Sequence, residues 1–112
     1  MNTCTIEIKG KEYVLCLTRE AVKEIENRGF NIQNFVERPI NMMDILWYGG
    51  FIANHKDVNF NLAMKLRDSY VEPDENGEVA DIQEVIEFLA DEYSNFVNAP
   101  ADTKKKAKIV KA

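Results

Sequence analysis

The stretch "NMMDILWYGGFIANH", residues 41–55, decides the fold, because it sets two glycines between a run of large apolar side chains and the chain's single histidine, His55. At helical spacing Met43, Leu46, Trp47, Gly50 and Ala53 line one face, and Tyr48, Ile52 and His55 line another. A helix apolar nearly all round belongs at the centre of a domain rather than on its surface. Asn41 with Asp44 three residues later offers a capping pair for its start. Gly49-Gly50 is not a phosphate loop, since neither Gly-x-Gly-x-x-Gly nor the Gly-Lys-Ser/Thr spacing is found. Two mid-helix glycines cost about 1 kcal/mol each against alanine. Either the helix bends there, or the glycines make a flat patch on which another element packs closely. The second reading is preferred, and it predicts that Gly50→Leu destabilises through overpacking, by about 1 to 3 kcal/mol. His55 is expected to interact with the helix dipole and the terminal carbonyls.

Upstream, "TCTIEIKGKEYVLCL" (residues 3–17) alternates Cys4, Ile6 and Ile8 with polar residues, meets Lys9-Gly10, and continues as an apolar run from Tyr13 to Leu17. This is a β-hairpin. A two-residue turn at Lys9-Gly10 pairs Ile8 with Lys11, Ile6 with Tyr13 and Cys4 with Leu15. Because the second strand is apolar at every position, a one-residue slip that sets Cys4 opposite Cys16 stays open. Two free thiols are the preferred reading. Thr18 is placed to cap a helix that runs to about Arg28, with Ala21, Val22 and Ile25 as its apolar stripe. Gly29 and Phe30 then fit a left-handed stop, with Phe30 folding back on Ile25. "NIQNFVERP" (residues 31–39) reads as a short amphipathic turn or helix that buries Ile32, Phe35 and Val36 and stops before Pro39.

Downstream, Asn59 or Asn61 caps a helix whose Leu62, Met64, Leu66 and Tyr70 supply apolar contacts. "EPDENGE" (residues 72–78) departs from calcium-loop spacing and reads as a solvated turn. Asp81 with Glu84 is a stronger capping pair. It opens a helix with Ile82, Val85, Ile86, Leu89, Tyr93, Phe96 and Val97 on one face and Glu84, Glu87, Asp91 and Glu92 outward. The fold class is therefore α+β: an N-terminal β-hairpin followed by a bundle of four to five helices, as one globular domain over residues 1–97. Tyr13, Leu15, Val22, Ile25, Leu46, Trp47, Ile86 and Leu89 are its expected core. Residues 98–112 read as a flexible basic tail.

Charge and composition exclude several functions. Residues 1–97 carry 9 Lys/Arg against 18 Asp/Glu, whereas residues 98–112 carry 5 Lys against 1 Asp. An acidic body repels phosphate backbones, so the body is expected to be a poor binder of nucleic acid. Two cysteines without Cys-x-x-Cys or His-x-x-x-His spacing cannot supply a zinc set, and no cofactor fingerprint is present. The longest apolar run, Met42 to Ile52, falls short of the roughly 20 residues of a membrane span. The N-terminus has no secretory pattern. A cytoplasmic, membrane-free, non-enzymatic protein without cofactor or metal is expected.

The order of these signals resembles the small tail assembly chaperones of long-tailed phages and prophages of Gram-positive hosts. The likeness runs over roughly residues 6–97. It rests on Gly10-Lys11 before Tyr13, Thr18-Arg19 opening a helix, Gly29-Phe30-Asn31, and the aromatic-glycine run ending at His55. It implies a protein of the host cytoplasm, absent from the mature virion. Such a protein binds the tape measure protein, with the major tail tube protein as a second candidate partner, keeping the apolar helices of the tape measure soluble while the tube assembles. Self-association is compatible with that role. In such operons the chaperone gene often continues into a second frame through a ribosomal slip, for which Lys104-Lys105-Lys106 would be a suitable place. Met42, Met43, Tyr48, Phe51 and Met64 are the candidate partner-binding residues, since soft and aromatic side chains adapt to an apolar helix. The alternative is a phage or prophage regulatory protein whose basic C-terminal tail touches nucleic acid.

Overall fold

The computed structural model describes residues 2–97. Two strands, β1 (Cys4–Ile8) and β2 (Lys11–Leu15), precede helices α1 (Arg19–Asn27), α2 (Pro39–Phe51), α3 (Phe60–Tyr70) and α4 (Ile82–Val97), with a 3-10 turn (Ile32–Phe35) between α1 and α2. The expected α+β order of hairpin and helical bundle is found. The predicted tail, residues 98–112, lies outside the described residues.

β1 and β2 pair antiparallel with Cys4 opposite Leu15, Ile6 opposite Tyr13 and Ile8 opposite Lys11. Lys9 and Gly10 both take positive φ, 50° and 83°, so the turn twists in the sense that lets two strands meet with only two residues between them. This register sends Ile6, Ile8, Tyr13 and Leu15 into the core, whereas a one-residue slip of β2 would have turned Tyr13 and Leu15 outward. Cys4 and Cys16 are free thiols. The Thr18 hydroxyl caps α1 by accepting from the Ala21 N–H at 3.1 Å. The helix ends as its sequence indicates: Gly29 sits at φ 102°, its N–H donates to Glu26, and the Phe30 N–H donates to the Ile25 carbonyl at 2.9 Å.

α2 is the central element, packing on α1, α3, α4, the 3-10 turn and β2. All eight expected core residues are buried, Trp47 and Leu46 completely. The Trp47 indole N–H donates to the Ala63 carbonyl at 2.9 Å, so the largest buried side chain carries no unpaired donor. The helix runs unbroken through Gly49-Gly50. A β-carbon at Gly49 would lie 2.7 Å from Ile25 Cγ2, and one at Gly50 would lie 3.2 Å from both Leu89 methyls and 3.4 Å from Leu15 Cβ. The glycines are therefore contact points for α1, β2 and α4. They bring the Gly50 carbonyl close enough to accept the Cys16 N–H at 3.2 Å.

Several expectations are corrected. α2 starts at Pro39 rather than at an Asn41–Asp44 cap: a proline at the first helical position has its φ already set and no N–H to leave unpaired. Its end at Phe51 puts Ala53 and His55 beyond the helix, and His55 does not serve the dipole. The single 3-10 turn can face only part of its apolar set inward, so Phe35 is half-buried while Ile32 is exposed and Val36 is 90% exposed. In α4, Val85, Ile86, Leu89 and Tyr93 are buried as expected, but Phe96 and Val97 are exposed. Glu92, expected outward, is buried, with its Oε2 accepting from the side-chain amides of Asn2 and Asn95 at 3.3 Å each.

Candidate functional site

A groove of about 470 Å³ opens between α2 and α3, bounded by the end of α1 and the approach to α2. Its α2 wall carries Asn41, Asp44 and Ile45, which share a face at spacings of three and four, and its α3 wall carries Phe60 and Met64 at a spacing of four. Ile45, Phe60 and Met64 are all half-buried, so each lends an apolar surface while remaining reachable. α3 presents this wall because the Asn59 side chain caps its first turn, accepting from the Leu62 N–H at 2.8 Å, and because Ala63, on the adjoining side of the helix, packs into the core. Leu62, expected to make apolar contacts, is 37% exposed.

Cations ring the groove of an otherwise acidic body. The Arg28 guanidinium lies 4.8 Å from the Tyr48 ring centre and 5.0 Å from that of Phe60, and these two rings meet edge to face at 5.5 Å. Such stacking holds Arg28 over the aromatic pair, and its Nε also pairs with Glu24 Oε1 at 3.6 Å along α1. Arg38 stands at the far end. Arg67 bonds Asp44 at 2.6 Å and Asp68 at 3.1 Å, tying α3 to α2 below the rim. Burial pushes the Asp44 carboxyl up from its ordinary range, and the Arg67 guanidinium partly offsets this.

The five expected contact residues are not brought together. Phe51 is enclosed in the core, edge to face with both Trp47 and Tyr13, whereas Met42, also buried, forms the groove floor, its sulfur accepting the Asn31 N–H at 3.4 Å. A helix apolar all round must bury part of its soft residues, and the chain alone does not say which. Met43 is half-buried against the core away from the groove. Met64 lines the groove, and Tyr48 borders it through Arg28 and Phe60. Ile45, Phe60 and Arg28 were missed. Phe60 carries a signal, standing directly after the Asn59 cap at a first-turn position that rarely needs a large aromatic. Arg28 carries none, because a basic residue at a helix end already has a local explanation.

Burial, and next the Glu84 carboxylate, push the Cys4 thiol up, which disfavours the nucleophilic thiolate. Burial, with Cys4 and the carboxylates of Glu84 and Asp81, pushes the neighbouring Tyr70 phenol up as well. His55 Nε2 accepts the Val14 N–H at 3.0 Å, and its ring meets those of Tyr13 and Phe51 edge to face. Its available nitrogen is spent on the edge of β2. Among the described residues there is no cluster of three metal-ligating side chains and no helix long and apolar enough to cross a membrane.

The chain belongs to the family described as Domain of unknown function (DUF5055), which matches it over residues 1–112. No curated protein and no solved structure matches it.

Proposed function

We propose that this protein is a tail assembly chaperone of a long-tailed phage or prophage, holding apolar helices of the tape measure protein soluble until the tail tube forms around them. The observation that carries the reading is the α2–α3 groove, where half-buried Ile45, Phe60 and Met64 form an apolar wall under two arginines. A helix laid in such a groove exchanges its apolar stripe for these side chains, while Arg28 and Arg38 select acidic residues flanking that stripe. Exposed Val36 and Ile40, the latter 64% exposed, extend the apolar surface on the same approach to α2. The net negative charge of the body adds repulsion between loaded complexes and opposes their aggregation. One groove of this size cannot cover a long helix, so several copies bind each tape measure chain, and tube protein displaces them.

Co-expression with the tape measure encoded nearby tests the reading. The soluble fraction of the tape measure should rise, and more than one copy of this protein should co-purify per chain. A tape measure equally insoluble with and without it, and no complex recovered even when any second-frame product is supplied, would end the proposal.

A further inference from the structure

The two edges of the hairpin are treated differently. Val14 stands opposite Thr5, yet its N–H goes to His55 Nε2 and its C=O accepts from Asn54 Nδ2, both on the side away from β1. Hydrogen-bonded and non-hydrogen-bonded pairs alternate in an antiparallel ladder, so Glu7 with Glu12 is, like Thr5 with Val14, a pair that exchanges no bonds. The N–H and C=O groups of Thr5 and Glu7 therefore point outward from β1. Both residues are exposed, and among the described residues none of these four groups has a partner. An edge left open in this way is a template for another strand.

The surroundings of that edge select its occupant. A second groove of about 470 Å³ runs between β1 and residues 78–80, with Tyr70 on its wall. Its charged lining is Glu7, Glu72, Asp74 and Glu78 against the single base Lys9, which is already paired with Glu72 at 3.5 Å. Glu7 and Glu12 stand directly opposite each other on the outer face of the hairpin, a like-charge pair that weakens a sheet, and neither has an ion-pair partner among the described residues. Both features call for cations from an added strand. A second copy of β1 answers neither, since it would bring its own Glu7 and the same acidic wall to the seam.

We propose that the open edge of β1 is a docking site for an extended, basic segment of a partner protein, which adds to the hairpin as a third strand. Strand geometry states the pattern that such a segment needs. The two residues that bond Thr5 and Glu7 lie two apart and project onto the same outer face as Glu7, so these are the positions for Lys or Arg. The residue between them projects to the opposite face, on which Ile6 and Ile8 are buried and Tyr70 lines the groove, so it is apolar. Main-chain bonds to the edge hold any extended segment, and the carboxylates choose among them by charge. This edge shares no lining residue with the α2–α3 groove, so the inference stands or falls apart from the chaperone reading.

Residue-resolved amide hydrogen exchange on the full chain at low salt tests the assignment, with an end-capped hexapeptide of alternating lysine and valine as the probe. Saturating peptide should slow the Thr5 and Glu7 amides about tenfold or more, whereas a hexapeptide of alternating glutamate and valine should leave them unchanged. A Glu7→Lys/Glu78→Lys variant should reverse that choice, losing protection by the lysine peptide and gaining it from the glutamate peptide. The Cys16 amide, bonded to the Gly50 carbonyl, reports that the fold is intact throughout. Should that amide open in the variant, the decision passes to the wild type with a lysine–valine peptide N-methylated at its lysines, which keeps the charge but lacks the N–H groups the edge accepts, and which must fail to protect. Fast exchange of both amides at the highest lysine-peptide concentration, equal protection by the two charge types, or protection by the N-methylated peptide overturns the proposal. Protection present before any peptide is added overturns it too: if it grows with protein concentration the edge belongs to a second copy, and if it does not, to this chain itself.

Discussion

Gly49→Ala sets two known magnitudes against each other at one atom. Replacing a helix-interior glycine by alanine gains about 1 kcal/mol from backbone entropy. Here the added methyl would stand 2.7 Å from Ile25 Cγ2, about 1 Å inside the optimum separation of two carbons. Cγ2 branches from Cβ on a completely buried side chain, so it cannot swing aside without driving Cδ1, itself 3.6 Å away, into the same space. α1 and α2 must separate, and overpacking of this kind costs about 1 to 3 kcal/mol. The net expectation is a loss of about 1 kcal/mol, read as a lower urea midpoint at unchanged slope. Ile25→Leu moves the branch from Cβ to Cγ, so Gly49→Ala made in that background should recover its gain, a coupling of about 1 to 2 kcal/mol in the double-mutant cycle. Gly50→Ala meets the mobile ends of Leu89 at 3.2 Å and should stay within about 1 kcal/mol of wild type, while Gly50→Leu should lose about 1 to 3 kcal/mol or more. A Gly49→Ala protein more stable than wild type by the full helix gain would refute the close-approach argument.

Tyr93 gives a pH signature. Burial, and then the hydrogen bond from its hydroxyl to Glu26 Oε2 at 2.9 Å, push its phenol up to about 12. The unfolded chain loses this proton first, near its ordinary value of 10.0, so the contribution is whole below pH 10 and is lost as pH rises toward about 12. Wild type should therefore fall relative to Tyr93→Phe across that window by at most about 3 kcal/mol, and parallel urea-stability curves from pH 9 to 12 would count against it. His55→Ala strips the acceptor from the Val14 N–H and should cost about 1 to 3 kcal/mol while speeding exchange of that amide; an unchanged Val14 exchange rate would show the bond to be idle. In the chaperone assay, Ile45→Glu and Met64→Glu should abolish tape measure solubilisation without lowering the melting midpoint by more than a few degrees, and retained activity in both would clear the groove of that role.

Elements set by neighbours in sequence were legible. The hairpin follows from alternation and a Lys-Gly turn, the end of α1 from Gly29-Phe30, and the centrality of α2 from an apolar run too complete for a surface helix. Each of these is decided within about ten residues by backbone geometry and local burial. Register was not legible, because an apolar run from Tyr13 to Leu17 leaves a one-residue slip open; the structure settles it with the pairing that buries Ile6, Ile8, Tyr13 and Leu15 together. The groove was legible only in part. Met64 was found because a methionine on an amphipathic helix draws notice, whereas Ile45, Phe60 and Arg28 acquire their role only when α1, α2 and α3 are brought together.

What the chain did not disclose is the pairing of polar groups far apart in sequence, and these pairs explain why the glycines stand where they do. Val14 meets His55 across 41 residues and Asn54 across 40, and Cys16 meets the Gly50 carbonyl. All three contacts lie on one edge of β2, and all are made by the end of α2 and the turn after it. A two-stranded hairpin is marginal by itself, and an exposed second edge would add a pairing liability. Closing that edge with a helix end requires the helix backbone to come within hydrogen-bonding distance of a strand, which a side chain at residue 50 would oppose through Leu15 and Leu89. Gly50 and His55 thus serve one purpose from either end of "GGFIANH": the glycine admits the approach, and the imidazole satisfies the strand amide that the approach covers. The close-packing reading of Gly50 anticipated an approaching element without naming it, and the dipole reading of His55 missed its partner, because that partner is the backbone of the hairpin and backbone leaves no trace in a side-chain pattern.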